Sequence, residues 1–188
     1  MNLHVKKKCL SMWKKIDSIY FRFTRLVYIK NEFGENIIIR VRLTKYKGHK
    51  VTLSDGTIIN KNDSLLKIHL HNVKLLRIVQ EYDSEVRKAL FTYRSVKESL
   101  PSIADYIQMH RDEHEIKGLI GITSLYKGSR KLGFEVYPIH NLYYKLFKRV
   151  SFFPIHVLSS IKFNKEMPQP VYLFMSKEGL LNKYKQGS

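Results

Sequence analysis

Cysteine is almost missing: Cys9 stands alone in 188 residues. One thiol cannot close an intramolecular disulfide, and no cysteine-based metal site can be assembled around it. That usage fits a reducing compartment. Glycine and proline are scarce, at nine and five residues, which excludes a collagen-like or low-complexity chain. No apolar run reaches about eighteen residues, so no membrane-spanning helix is expected. Nor is there a repeat of about twenty residues or more. The N-terminus is basic, but Trp13, Lys14, Lys15 and Asp17 interrupt the place where a signal-peptide core would lie. The expected location is the cytoplasm, with the inner face of the membrane open to a peripheral protein.

Acidic residues are the other shortage. Lys and Arg total 34 against 16 Asp and Glu, a formal charge of +18. The excess is uneven. Residues 1–30 carry eight bases and one acid, 31–138 carry eighteen and thirteen, and 139–188 carry eight and two. The ends are therefore strongly basic and the middle nearly balanced. Such a field attracts polyanions: nucleic acid, anionic lipid or an anionic envelope polymer. Lysine used only for solubility is the plainer account of the same numbers.

What is present is 44% hydrophobic residues, enough for one core of ordinary domain size. Spacing predicts an amphipathic helix over Cys9–Lys30, with Trp13, Ile16, Tyr20, Phe23 and Val27 in one stripe. Lys14, Lys15, Arg22 and Arg25 flank that stripe, and Lys6, Lys7 and Lys8 precede it. These seven bases are the expected contacts to a membrane or polyanion. The domain reading is a basic helix over 1–30 followed by a single unit over 31–188.

Strands are expected at Ile37–Leu43, at Val51–Leu53 and Thr57–Ile59 around an Asp55-Gly56 turn, and at Ser64–His71. Asn72 is placed to cap the next helix. Two more helices are expected, at 83–93 and, opened by Pro101, at 101–110. Strands at Ile116–Leu125 and Leu132–Val136 follow, with Gly118 and Gly121 marking close backbone approach. A helix over Asn141–Phe152 should point Leu142, Leu146 and Val150 inward. Val171–Met175 is a last strand, and Ser176 caps a final helix, Lys177–Tyr184. The class is α+β, with mixed but mainly antiparallel strands packed against several helices.

The densest group of reactive side chains is His69, His71 and Asn72. Two imidazoles two residues apart share one face of a strand. A metal would need a third ligand; Asp55, Asp63, Glu135 and His140 stand at no diagnostic spacing, and HExxH is absent. No metal and no cofactor are expected. As a general acid or base, His69 would need an orienting partner and a wall of polar groups. Asn72 and Ser124 are the candidates beside it. In the stretch 121–135, Thr123, Lys127 and Arg130 could cradle an anion. Neither GxxxxGK[ST] nor GxGxxG occurs. Tyr143, Tyr144 and Phe147 alternate with Lys145, Lys148 and Arg149, a pattern suited to single-stranded nucleic acid, although no helix-turn-helix, RRM or zinc-finger signature accompanies it.

Four segments together resemble the YkoP-like family of small bacterial proteins: GHKVTLSDGTIINKND, LLKIHLHN, IKGLIGITSLYKGSRKLGFEV and PVYLFMSKEGL. The resemblance runs from about residue 37 to residue 181. Asp55-Gly56, His69, Asn72, Gly121-Thr123-Leu125 and Leu132-Gly133-Phe134 fall on the family pattern, whereas His71 is not part of it. Asn62 stands where the family has Gly, and Lys131 separates Arg130 from Leu132. The resemblance implies little chemistry. Related domains fused behind polysaccharide-deacetylase domains imply a setting of envelope glycan or lipid. The leading expectation is a basic protein that binds an anionic envelope-related ligand or an anionic membrane surface. One alternative is a hydrolase or group-transfer enzyme on a phosphorylated or glycan-linked envelope compound, with His69 as acid or base. The other is a nucleic-acid-binding protein. Whether the chain is an enzyme stays open.

Overall fold

A computed structural model describes residues 24–79, 81–110, 113–159 and 169–185. The elements are β1 (Val27–Lys30), β2 (Asn36–Lys45), β3 (Val51–Thr52), β4 (Ile58–Ile59), β5 (Ser64–Leu70), α1 (Asn72–Val79), α2 (Glu85–Met109), β6 (Ile116–Thr123), β7 (Glu135–Pro138), α3 (Leu142–Ser159), β8 (Val171–Ser176) and α4 (Lys177–Tyr184). Six strands form one sheet in the order β1-β2-β5-β6-β8-β7, and β3-β4 is a separate ladder. Only β5 and β6 pair in parallel; every other pairing is antiparallel. The fold is α+β with a mainly antiparallel sheet. Of the strands expected from the sequence, those near Ile37–Leu43, Ser64–His71, Ile116–Leu125, Leu132–Val136 and Val171–Met175 join one sheet, and the pair around Asp55-Gly56 stands apart. Parallel neighbours need a long crossover, and here it is α1 and α2.

Alternation along the strands sorts side chains onto two faces. On the first, Ile39, Val41, Leu66, Leu119, Leu173 and Met175 meet Leu100, Ile103, Ala104 and Ile107 of α2 and Leu180 of α4. On the second, Leu65, Ile120 and Phe174 meet Tyr46, Val51, Leu53 and Ile59 from the β3-β4 hairpin and its approach. Tyr46 meets the Phe174 ring edge-on, with centroids 5.5 Å apart. The hairpin covers only part of this face; α3 lies over another part, its Tyr144 stacked on Tyr172 at 6.5 Å.

The Asp55-Gly56 turn is tied down from several sides. Gly56 takes φ +85°, which a side chain would strain. Asp55 Oδ1 accepts the Thr57 amide at 2.9 Å, and the Ser176 hydroxyl donates to Asp55 Oδ2. Burial pushes the Asp55 carboxyl up, but the bonds from Ser176 and Thr57 outweigh it and hold the group below its ordinary value. Ser176 Oγ also accepts the Gly179 amide at 2.8 Å, the N-cap expected for α4. Ser54 donates its amide and hydroxyl to Glu135 Oε1, both at 2.8 Å. Asn62 carries φ +72°, the left-handed geometry for which the family pattern has Gly and which Asn tolerates. At Gly118, any Cβ would run into the Met175 carbonyl oxygen, so the close approach read from the sequence is real.

Five expectations are corrected. Val27–Lys30 is a strand, not the end of a helix. Arg25, at φ +51°, leaves the helical region, and Ile29 then joins the first core. The helices expected at 83–93 and 101–110 are one helix with Pro101 inside it. An internal proline costs about 3 kcal/mol, offset here by burial of Leu100, Ile103, Ala104 and Ile107, each 0% exposed. The first bond of α1 runs from the Leu75 amide to the His71 carbonyl, so His71 holds the cap position and Asn72 opens the helix. The α3 stripe points the wrong way for a core: Leu142, Leu146 and Val150 are 73%, 59% and 66% exposed. Beneath α3 lies the charged part of the second face, and the helix turns Tyr144, Lys145 and Lys148 toward it. The expected Leu132–Val136 strand also starts late, because Ser129–Leu132 forms a 3-10 turn closed by Gly133 at φ +93°.

Candidate anion site

The charged region is built by strand pairing. Arg40 and Arg42 alternate with apolar residues on β2; Lys67 and His69 do so on β5. The antiparallel register sets Arg40 opposite His69 and Arg42 opposite Lys67. Like charges directly across a ladder are unfavourable, yet both strands place bases on the same face. Helix α3 adds Lys148. The Lys148 ammonium lies 5.4 Å from the Tyr144 ring centroid and 5.5 Å from that of Phe147. Arg40 is 2% exposed, its guanidinium 5.8 Å from the Tyr28 ring centroid. Tyr28 Oη is 3.5 Å from His71 Nε2. Arg42 donates to the Thr24 carbonyl at 3.3 Å.

The electrostatics are those of crowded cations. Burial, then Lys148 and Arg42, lower Lys67 to about 8. Burial, then Arg42, lowers Lys148. Burial, then Lys67, Arg42, Lys148 and Arg40, lower His69 to about 3. His69 is thus a neutral imidazole at any ordinary pH, a hydrogen-bonding group and a very weak base. Ion pairs form on other parts of the molecule, as in Lys117–Asp63 at 2.9 Å and Lys185–Asp105 at 3.1 Å. Among the described residues, none of them includes Arg42, Lys67 or Lys148. Taking charges out of water without counter-charge costs several kcal/mol per ion. An oxyanion in their midst would recover part of that and gain charge-assisted bonds.

The residues singled out in the sequence do not all converge here. His69 lies in the cluster and Asn72 at the start of α1. Thr123 ends β6, where its hydroxyl accepts the Leu125 amide at 2.9 Å; Ser124 follows in a bend. Lys127 and Arg130, with Tyr126, Gly128, Lys131 and Val136, line an open recess of about 310 Å³. Tyr126 and Leu132 belong to the first core, so this turn packs on the helix-covered face. His69 faces the other way, and the sheet separates it from Lys127 and Arg130. Lys6, Lys7, Lys8, Lys14, Lys15 and Arg22 lie outside the described residues, while Arg25 is exposed. Arg40, Arg42, Lys67 and Lys148 were missed as a site. Their signal was bases at alternate positions in two apolar strands, IIIRVRL and LLKIHLH, which pairing then superposes. Among the described residues, no group of three or more His, Cys, Asp or Glu could hold a metal ion, and no helix is long and apolar enough to cross a membrane.

The YkoP domain model matches residues 6–184, and the chain belongs to that family. It is 50% identical over 182 residues to "Uncharacterized protein YkoP" of Bacillus subtilis (strain 168), covering 96% of this chain and 98% of that protein. No solved structure matches.

Proposed function

We propose that this protein binds an anionic ligand, with the Arg42–Lys67–Lys148 cluster as the site and His69 as a neutral hydrogen-bonding neighbour. The ligand class is a phosphate or similar oxyanion carried by an envelope glycan or lipid. The observation that supports it is the convergence of three cations from β2, β5 and α3 onto one patch, with no carboxylate paired to them among the described residues. Three positive groups match the several oxygens of a phosphoryl group, and the imidazole can donate to a further one. The low basicity of His69 favours binding over acid–base catalysis.

The test is calorimetric titration of the full chain with inorganic phosphate and a sugar phosphate at constant ionic strength, in the wild type and in Lys67→Met and Lys148→Met. Binding should weaken by roughly tenfold or more in each variant, as expected for loss of a charge-assisted contact. Equal binding by all three proteins, or none by the wild type, removes the reading. Tighter, salt-dependent retention of random nucleic acid than of the phosphates would support the nucleic-acid alternative.

A further inference from the structure

Helix α3 has an outer side that no described part of the molecule covers. Leu142, Tyr143, Leu146, Phe147 and Val150 are 73%, 87%, 59%, 62% and 66% exposed. At 3.6 residues per turn they fall within an arc of roughly 140°. Arg149, also exposed, borders the arc, and Lys145 comes next around the helix. No acidic residue occurs from Leu142 to Ser159. Helix α1, which packs beside α3, exposes Lys74 and Arg77.

We infer that the outer face of α3 docks on an anionic lipid bilayer, its apolar arc entering the headgroup–acyl boundary and its flanking bases meeting lipid phosphates. Five large apolar side chains held out in one arc exceed the scattered exposure usual on a surface. Charge selects the occupant. A second copy of this chain would bring its own +18 against the first. An anionic bilayer supplies both phases that this face matches: hydrocarbon for Leu146, Phe147 and Val150, and phosphate for Arg149. Tyr143 and Phe147 are aromatic residues of the kind that settle at such a boundary. The inference is independent of the anion site, which lies on the opposite, inward side of the same helix.

The experiment is co-sedimentation of the full chain with vesicles of phosphatidylcholine alone and of phosphatidylcholine with phosphatidylglycerol, at low and high salt. The variant is Leu146→Ser with Val150→Ser; the control is Met109→Ser, an exposed apolar residue on α2. The wild type and the control should bind the anionic vesicles, less at high salt, and the double variant should bind roughly tenfold or more weakly. Its phosphate titration and melting temperature should be unchanged. Equal binding by variant and wild type, or equal binding to neutral and anionic vesicles, overturns the inference. So does a clear fall in the variant's melting temperature, which would mean that residues 1–23 or another part of the chain cover this face. So, too, does concentration-dependent self-association that the variant abolishes.

Discussion

The two sides of strand β5 follow opposite rules. Leu66, Ile68 and Leu70 face the helices and join or pack on the first core. Leu65, Lys67 and His69 face the other way, and only Leu65 joins an apolar cluster there. The first side stabilises the fold in proportion to the area that it removes from water. The second side costs stability, because it buries Lys67 and crowds it against Lys148 and Arg42. One strand therefore carries both the centre of the core and a candidate site. A charge that weakens the fold in every unbound molecule points to a use for it.

The largest effect should come from the helix-covered side. Ile103→Ala, at a position 0% exposed, should lower stability in urea by about 2–5 kcal/mol and leave phosphate affinity unchanged. A comparable loss of phosphate binding would mean that the two sides are not separable. Lys67→Met should do the reverse, raising stability at neutral pH by on the order of 1–3 kcal/mol while weakening anion binding. The sign depends on pH. Lys67 titrates near 8 in the fold and at 10.5 unfolded, so its cost is fullest below pH 8 and gone above 10.5. The variant's advantage in urea midpoint should shrink across that window, and an advantage that grows with pH would refute the account. Ser176→Ala tests the apolar part of the second face, where one hydroxyl caps α4 and holds Asp55; a loss of about 1 kcal/mol is expected, with phosphate affinity intact. At neutral pH the smallest effect is that of His69. By NMR its imidazole should stay neutral through the range of ordinary histidines and titrate near 3. Bound phosphate should move that titration upward. Stability from this group is complete above 6.5 and falls away between 6.5 and about 3. His69→Gln should flatten that part of the acid limb.

Much of the sheet could be read in advance, because turn chemistry is local. Asp55-Gly56, the Ser176 cap and the close approach at Gly118 each follow from one or two residues, and each is present. Errors arose where distant partners decide. Periodicity placed Leu142, Leu146 and Val150 on one stripe correctly, but which stripe turns inward depends on the strands beneath. Val27–Lys30 fitted a helical stripe until β2 offered it a pairing partner. Of the four groups of the candidate site, His69 alone was visible. Arg42, Lys67 and Lys148 come from three elements whose meeting is a matter of register and packing, and no spacing in the chain records it.

The parallel seam between β5 and β6 has a consequence for the order of assembly. Strands β1, β2 and β5 lie within residues 27–70 and pair over short stretches of chain, whereas β6 must wait for β8 across residues 124–170. The seam can close only after the crossover of 71–115 has been ordered, and long loop closures make such steps slow. Until then β5 and β6 are open sheet edges bearing Leu66 and Leu119, both 0% exposed once joined. Two apolar edges left unsealed are templates for pairing with another chain. The half-assembled molecule is therefore the aggregation-prone one, and faster closure of the crossover, rather than a more stable final state, would protect it.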